Sequence, residues 1–174
     1  MSDSLHATVP IIVMGVSGAG KSTIGLALAN HLGVAFVDGD DLHPETNITK
    51  MAAGIPLTDK DRAPWLDLVG HELGKAHSVG KGMVIACSAL KQEYRDRIRA
   101  GAPTTFFVEL DGTRDELLGR MTSREGHFMP SSLLDSQLAI LEPLALVENG
   151  IRLSCMLPVE DLVRKATNAL SGGN

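Results

Sequence analysis

The run Gly15-Val16-Ser17-Gly18-Ala19-Gly20-Lys21-Ser22 constrains the fold of this chain more than any other stretch. It fits the pattern G-x-x-x-x-G-K-[ST] of the phosphate-binding P-loop. An apolar run at residues 9–14 precedes it, as expected of a strand buried on both faces. Ile24, Leu28 and Leu32 follow it at helical spacing. Strand, glycine loop and helix therefore come in the order that the motif requires.

This arrangement predicts a site for a nucleoside triphosphate. Backbone N–H groups of a glycine-rich loop turn inward around a phosphate, and the following helix adds a partial positive charge. Lys21 can then reach the β- and γ-phosphates, and Ser22 can ligate Mg²⁺. The alternative is an ordinary glycine-rich turn between a strand and a helix. The predicted nucleotide-binding residues of the loop are Gly15, Val16, Ser17, Gly18, Ala19, Gly20, Lys21, Ser22 and Thr23.

Composition excludes several other classes of protein. A chain of 174 residues is most simply one domain, and it has no apolar run near the ~20 residues of a membrane span. Its net charge is −5 without any basic tract, which argues against a nucleic-acid partner. Cys87 and Cys155 lack metal-type spacing, so we expect reduced thiols and a cytoplasmic location.

An acidic cluster follows the second predicted strand, which covers residues 34–37. The cluster is Asp38-Gly39-Asp40-Asp41, at the edge where open α/β sheets bind ligands. One carboxylate can hold Mg²⁺ through water while another orients or deprotonates a substrate hydroxyl. A solvated Asp-Gly turn is the alternative, and the nearby P-loop favours the functional interpretation. The third predicted strand, residues 82–87, ends in Ser88 rather than an aspartate, so the metal role falls to Asp38 or Asp40.

The segment from His43 to Arg62 lacks periodicity and is predicted to be irregular. A helix is predicted to begin at Pro64 and to carry Trp65 on its apolar face. Substrate loops often occupy such insertions, and an ordinary surface excursion is the alternative. Trp65 is interpreted as a packing residue because its flank is apolar.

Cations follow the third and fourth predicted strands. Lys91 and Arg95 lie nearest the end of the third strand, which makes them candidates for ligand contact. After the fourth strand, residues 104–110, a capping box at Thr113 begins a helix with Arg120 near its end. Arg120 and Arg124 suit a mobile lid that closes on phosphates, and capping of the helix C-terminus by Arg124 accounts for it equally well. A further helix from Ser132, a fifth strand at 150–156 and a helix after Pro158 complete the chain.

Taken together, six runs resemble the gluconate kinases (gluconokinases), small P-loop kinases related to shikimate kinase. The runs extend from Met14 to Pro143, about three quarters of the chain. Beyond the P-loop they are Asp38-Gly39-Asp40-Asp41-Leu42-His43-Pro44; Asn47-Ile48-Thr49-Lys50-Met51 with Gly54-Ile55-Pro56-Leu57; Asp59-Lys60-Asp61-Arg62-Ala63-Pro64-Trp65-Leu66; Cys87-Ser88-Ala89-Leu90-Lys91 with Tyr94-Arg95; and Arg124 with His127-Phe128-Met129-Pro130, Ser136-Gln137 and Leu141-Glu142-Pro143.

The resemblance implies a P-loop kinase three-layer α/β sandwich with a five-stranded parallel sheet in the order 2-3-1-4-5. A substrate-binding insertion at about residues 41–80 and a lid at about 122–135 belong to the same single domain. The implied reaction is transfer of the γ-phosphoryl group of ATP, with Mg²⁺, to the 6-hydroxyl of D-gluconate. A homodimer is common among such kinases.

The resemblance also assigns roles to individual residues of this sequence. Asp40 meets the acceptor hydroxyl, and Asp38 lies near magnesium together with Ser22. The candidates for binding gluconate, besides Asp40, are Arg62 and Lys91 as clamps for its carboxylate, with His43 and Arg95 as further candidates. Lys21 and the lid cation Arg124 stabilise the transferred charge, and Arg120 lies against the adenine.

Two other readings remain open at this stage. Another small-molecule kinase, for shikimate or a nucleoside monophosphate, is the nearest; a shikimate kinase would carry a run of glycines where Cys87-Ser88-Ala89 stands. A non-catalytic nucleotide switch is the second. Its guanine motif N-K-x-D is absent, and the D-x-x-G match at Asp67–Gly70 falls inside the helix predicted after Pro64.

Overall fold

A computed structural model describes residues 6–123 and 131–172 of the chain. At its centre is a parallel sheet of five strands in the order β2-β3-β1-β4-β5, as the resemblance implies. Its strands are β1 (Pro10–Met14), β2 (Ala35–Asp38), β3 (Met83–Ala86), β4 (Phe106–Asp111) and β5 (Gly150–Ser154).

Seven α-helices lie within the described residues, together with one 3₁₀ turn, Gly39–Leu42. They are α1 (Lys21–Leu32), α2 (Glu45–Ala52), α3 (Asp59–Ser78), α4 (Gln92–Gly101), α5 (Arg114–Thr122), α6 (Ser131–Ile140) and α7 (Val159–Ser171). None of these helices is long and apolar enough to cross a membrane.

The central strand β1 divides the core into two layers. Side chains of a strand alternate between the two faces of the sheet. Ile11 and Val13 pack with α1 and α7 on one face, and Ile12 and Met14 pack with α3 and α4 on the other. All five residues of β1 are buried, as expected of a parallel strand covered by helices on both sides. The P-loop therefore starts from a strand that the core holds on every side.

The segment between β2 and β3 is more helical than the sequence predicts. The prediction of an irregular stretch from His43 to Arg62 is wrong because α2 lies within it, and α3 begins at Asp59 rather than Pro64. The side chain of Thr58 accepts from the Asp61 amide at 3.1 Å, and Asp61 accepts from the Thr58 amide at 2.9 Å. This capping box satisfies two amides at the start of α3, so the helix begins one turn before the proline.

The other elements match the predictions with shifted ends. β4 begins at Phe106 rather than Thr104, and β5 ends at Ser154 rather than Met156. The capping box predicted at Thr113 is present, since its side chain accepts from the Glu116 amide at 3.2 Å. Asp67–Gly70 lies inside α3, as expected of an accidental D-x-x-G match.

Candidate active site

The P-loop connects β1 to α1 with three glycines in backbone conformations that side chains rarely adopt. Gly15, Gly18 and Gly20 have φ values of 147°, 84° and 93°. A Cβ atom on Gly15 would lie 2.8 Å from the carbonyl oxygen of Leu110, so there is no room for a side chain. The glycines of the motif are therefore required by the shape of the loop.

Hydrogen bonds connect the P-loop with the end of β2. The hydroxyl of Ser22 donates to Asp38 Oδ2 at 2.9 Å, and the amide of Asp40 donates to Asp38 Oδ1 at 3.0 Å. The Lys21 ammonium donates to the carbonyl of Val16 at 3.1 Å. Hydroxyl and carboxylate oxygens are the ligands that Mg²⁺ prefers, so Ser22 and Asp38 fit the predicted metal site.

Asp40 lies on a turn that is fixed from two sides. A Cβ atom on Gly39 would lie 2.4 Å from the carbonyl oxygen of Ala86, and the indole of Trp65 donates to the Gly39 carbonyl at 2.7 Å. Burial raises the pKa of Asp40 above its ordinary value, the neighbouring Asp38 raises it further, and Lys21 opposes the shift. A carboxylate with a raised pKa is a better proton acceptor for a substrate hydroxyl.

A cluster of four side chains, called here the Asp59 cluster, joins the start of α3 to the start of α4. It consists of Asp59, Arg62, Lys91 and Tyr94. Lys91 donates to both oxygens of Asp59, at 3.0 and 3.2 Å, and the Tyr94 hydroxyl also donates to Asp59. Arg62 donates to Tyr94 at 3.3 Å and lies 3.9 Å from Asp59.

The charges of this cluster influence one another. The hydrogen bond from Tyr94, followed by that from Lys91, lowers the pKa of Asp59, and the bond to Asp59 raises the pKa of Lys91. Asp59 opposes both Arg62 and Lys91, and a second carboxylate, Glu93, lies 3.8 Å from the Lys91 ammonium. The structure thus brings together the two cations that are predicted to clamp an acidic substrate.

His43 lies beside Asp40 and is held by two neighbours. Its ring stacks on Trp65 with centroids 4.1 Å apart and planes inclined by 17°. Asn47, 2% exposed, bonds to its Nδ1 at 3.2 Å. Burial lowers the pKa of His43, Asp40 opposes this shift, and Arg62 adds to it.

Two side chains from later elements contact the P-loop. Arg120, on α5, donates from Nε to the Gly18 carbonyl at 2.9 Å and from Nη1 to the Cys155 carbonyl at 3.1 Å. Gln137, on α6, accepts from the Ser17 amide at 2.7 Å. Arg120 is therefore beside the predicted nucleotide site, whereas its contact with adenine stays a prediction.

Arg95 does not lie in the site, which corrects its prediction as a substrate ligand. Its side chain has no solvent exposure and donates to both oxygens of Glu148, at 2.7 and 3.0 Å, and to the Ala89 carbonyl at 2.9 Å. These bonds hold its guanidinium in the protein interior, between Glu148 and the Ala89 carbonyl. Arg124, the predicted lid cation, and residues 127–130 lie outside the described residues.

Known proteins share sequence similarity with this chain over the segment that contains the candidate site. Residues 17–137 match the model of the shikimate kinase family. The chain is 50% identical to the gluconokinase of Gluconobacter oxydans (strain 621H) over 144 residues, which cover 83% of this chain and 81% of that protein. It is 42% identical to the thermosensitive gluconokinase of Escherichia coli (strain K12) over 160 residues, 91% of this chain and 86% of that protein. The chain belongs to the gluconokinases of the shikimate kinase family.

A solved structure agrees with this assignment. The crystal structure of a gluconokinase from Sinorhizobium meliloti 1021 superposes with a TM-score of 0.87 at 45% sequence identity. The superposition covers 95% of this chain and 93% of that one. The fold is thus that of a gluconokinase.

Sequence reasoning assigned no role to several residues of this gluconokinase site. Asp59, which pairs with Lys91, and Tyr94 occur in runs that resemble the family, and the sequence assigns a role to neither. Asn47 and Gln137 occur in the runs that resemble the family, but no local pattern gives their contacts. An acid three residues before Arg62, at a helix start, is the signal that indicates Asp59.

Proposed function

We propose that this chain transfers the γ-phosphoryl group of ATP to the 6-hydroxyl of D-gluconate, giving ADP and 6-phospho-D-gluconate. The observation that carries the proposal is the continuous connection from the P-loop through Ser22 and Asp38 to Asp40. It brings a phosphate cradle and an acceptor carboxylate to one edge of the sheet. The similarity to gluconokinases supports the same reaction.

The nucleotide half of the mechanism is electrostatic. Phosphoryl transfer needs little covalent chemistry from the protein, so positioning and charge stabilisation dominate. The loop amides bind the β- and γ-phosphates, and Lys21 neutralises the charge on the transferred group. Arg120 lies against the bound nucleotide and Arg124 approaches from the lid, at about residues 122–135. Ser22 and Asp38, the latter through water, would hold Mg²⁺, and the ion would supply charge neutralisation at the phosphates.

The acceptor half depends on the segment at about residues 41–80. Asp40 accepts the hydrogen bond of the 6-hydroxyl and takes its proton as that oxygen bonds to the γ-phosphorus and the bond from this phosphorus to the departing ADP breaks. Arg62 and Lys91 hold the carboxylate at the opposite end of gluconate, because guanidinium and ammonium groups are strong partners of carboxylates. His43 contributes to the surface between these ends. A homodimer and a cytoplasmic location complete the proposal, and sedimentation velocity tests the first of these.

A coupled assay of ADP release with separate acceptors tests this function. We expect turnover with gluconate and none with shikimate or AMP. Lys21→Ala should lower kcat by about 10²- to 10⁴-fold, since removal of other electrostatic stabilisers has that effect. Lys165→Ala, on the exposed side of α7, is the matched control and should keep full activity. Equal ADP release without any acceptor would indicate a nucleotide switch, and turnover with shikimate alone would indicate the other kinase.

Asp40→Asn separates the role of Asp40 from that of the metal site. We expect kcat to fall while the affinity for ATP stays close to that of the wild type, because the amide keeps the shape but loses the proton acceptor. Loss of ATP affinity would instead place Asp40 on the metal.

A further inference from the structure

The imidazole of His43 is held in a way that fixes where its proton lies. Asn47 is among the few buried polar residues of the described chain, and its side-chain nitrogen makes two contacts. It lies 3.0 Å from the carbonyl oxygen of Asp61 and 3.2 Å from His43 Nδ1. Both contacts involve the same atom of Asn47, and this determines their direction.

A carbonyl oxygen can only accept a hydrogen bond, so the Asn47 atom that contacts Asp61 must be its NH₂ group. This group has two hydrogens, and the second one is available for His43 Nδ1. A ring nitrogen that accepts a hydrogen bond carries no proton. The proton of the neutral His43 ring is therefore on Nε2.

The Nε2 atom of His43 has no hydrogen-bond partner among residues 6–123 and 131–172. The charged side chains that act on the ring are Asp40, from the 3₁₀ turn, and Arg62, from α3. Those residues belong to the two ends of the proposed acceptor site. Burial also lowers the pKa of His43, which keeps the ring neutral near pH 7.

We propose that Asn47 is a positioning residue that holds His43 as a neutral Nε2–H donor, and that this donor binds a hydroxyl in the middle of the sugar-acid chain. The inference rests on the proposed function for its substrate. Trp65 stacks on the His43 ring and donates a hydrogen bond to the carbonyl of Gly39, the residue before Asp40. Both contacts help to fix the position of the His43 ring relative to Asp40. An open-chain polyol acid offers hydroxyl oxygens along its whole length, and a fixed donor selects one of them.

A purely structural role for Asn47 is the competing explanation, because its bond to Asp61 also joins α2 to α3. Lys50 makes the same connection, since it donates to both oxygens of Asp61 at 2.9 Å. Lys50→Met therefore loosens α2 from α3 without touching His43. It is the matched control for Asn47→Leu, which removes both bonds of the amide.

The tautomer can be measured directly in the full-length protein by ¹H–¹⁵N correlation of the histidine rings at pH 8. The His43 signals are identified by their loss in His43→Gln. We expect protonated Nε2 and unprotonated Nδ1 in the wild type and in Lys50→Met, and a mixture of tautomers in Asn47→Leu. Protonated Nδ1 in the wild type, or an unchanged tautomer in Asn47→Leu, would overturn the proposal.

Kinetics test the substrate contact. The amide nitrogen of glutamine can take the place of Nε2, whereas that of asparagine lies closer to the place of Nδ1. We expect His43→Asn and Asn47→Leu to raise KM for gluconate about 3- to 10-fold, as the loss of one neutral hydrogen bond does, and His43→Gln to raise it less. Lys50→Met should leave KM near the wild-type value.

The outcomes separate this inference from the proposed function. Wild-type turnover of gluconate with equal KM values for His43→Asn and His43→Gln would overturn the substrate contact and leave the function intact. Absence of wild-type turnover with gluconate would overturn the function and with it the substrate contact. The tautomer measurement would then decide the role of Asn47 alone.

Discussion

Two cations one helical turn apart, Lys91 and Arg95, meet opposite environments at the start of α4. Lys91 is 24% exposed and pairs with Asp59, which is 54% exposed. Arg95 is fully buried and pairs with Glu148, whose side chain is 3% exposed. Both residues follow β3 at the edge of the sheet, and both were candidates for substrate binding. Only Lys91 lies in the candidate site.

Solvent exposure distinguishes a cation that can bind substrate from one that stabilises the fold. A solvated pair can exchange its partner for a substrate at low cost, because water and nearby polar groups compensate for the change. A buried pair cannot, since removal of either partner leaves a charge without solvation. Around Glu148 the buried network is extensive: Arg99 donates at 2.9 Å and lies over the ring of Phe107, and the Ala145 amide donates at 2.8 Å.

The largest expected effect concerns the buried side of this comparison. Arg95→Met should lower the free energy of unfolding by about 3–5 kcal/mol, because Glu148 loses its main partner in the interior. Urea denaturation at pH 7 measures this change. Arg97→Met is the control, since Arg97 forms an exposed pair with Asp67 on the same helix, and it should cost less than about 1 kcal/mol. Equal losses of unfolding free energy in the two variants would contradict the distinction between the buried and the exposed ion pair.

Acid titration sharpens the same distinction. Burial alone would raise the pKa of Glu148, but the bonds from Arg95, the Ala145 amide and Arg99 outweigh it and hold the pKa at about 2, against 4.5 ordinarily. A carboxyl with a lowered pKa stabilises the fold above its unfolded pKa and loses this effect as the pH falls. The ionised Glu148 should thus contribute about 3 kcal/mol to the free energy of unfolding at pH 7. This contribution should be lost as the pH falls from 4.5 to 2.

Denaturation of the wild type and Glu148→Gln across that range measures this contribution. The variant should be less stable at pH 7, and its stability should fall less steeply below pH 4.5. If the stability of Glu148→Gln fell with pH as steeply as that of the wild type, the lowered pKa of Glu148 would be contradicted.

The exposed side of the comparison predicts a functional effect. Lys91→Met should raise KM for gluconate about 10- to 100-fold, as the loss of a hydrogen bond between charged groups does. Its stability should change by no more than about 1 kcal/mol. Steady-state kinetics with saturating ATP checks the first value, with Arg97→Met again as the control. An unchanged KM would show that Asp59, and not the substrate, is the partner of Lys91 throughout the reaction.

The smallest expected effect concerns the helix start that presents Asp59 and Arg62. Thr58→Ala removes a capping box and should cost about 1 kcal/mol. Thr113→Ala removes the equivalent box of α5 and should cost a similar amount. Only Thr58→Ala should also raise KM for gluconate, which steady-state kinetics measures. The same KM in both variants would mean that the first turn of α3 does not position the site.

The sequence predicts the nucleotide side of the molecule better than the acceptor side. The P-loop is a continuous motif, and its strand and helix follow from local apolar patterns. By contrast, α2 is only eight residues long and begins after Pro44 without a side-chain cap, so no periodicity identified it. Pro64 suggested a helix start because proline favours the first turn, whereas the capping box at Thr58 has an aspartate in the usual place of glutamate.

Local sequence could not predict which of the two cations, Lys91 or Arg95, is buried and which is exposed. Glu148 is 53 residues from Arg95, and Asp59 is 32 residues from Lys91, so the partners come together only when the sheet forms. Spacing along α4 places both cations near the site but does not tell which one points inward. The resemblance to gluconokinases supplied the strand order, whereas the incorrect assignment of Arg95 as a substrate ligand came both from its position after the third strand and from the resemblance.

The most direct test of the account is the identity of the product formed by the wild-type protein from ATP, Mg²⁺ and gluconate. A proton-coupled ³¹P spectrum of the reaction should contain ADP and one phosphate monoester, split into a triplet by the two protons on C6. An ester coupled to a single proton would place the phosphate on a secondary hydroxyl. It would contradict the proposal that Asp40 receives the proton of the 6-hydroxyl. Inorganic phosphate without any ester would contradict the transfer itself.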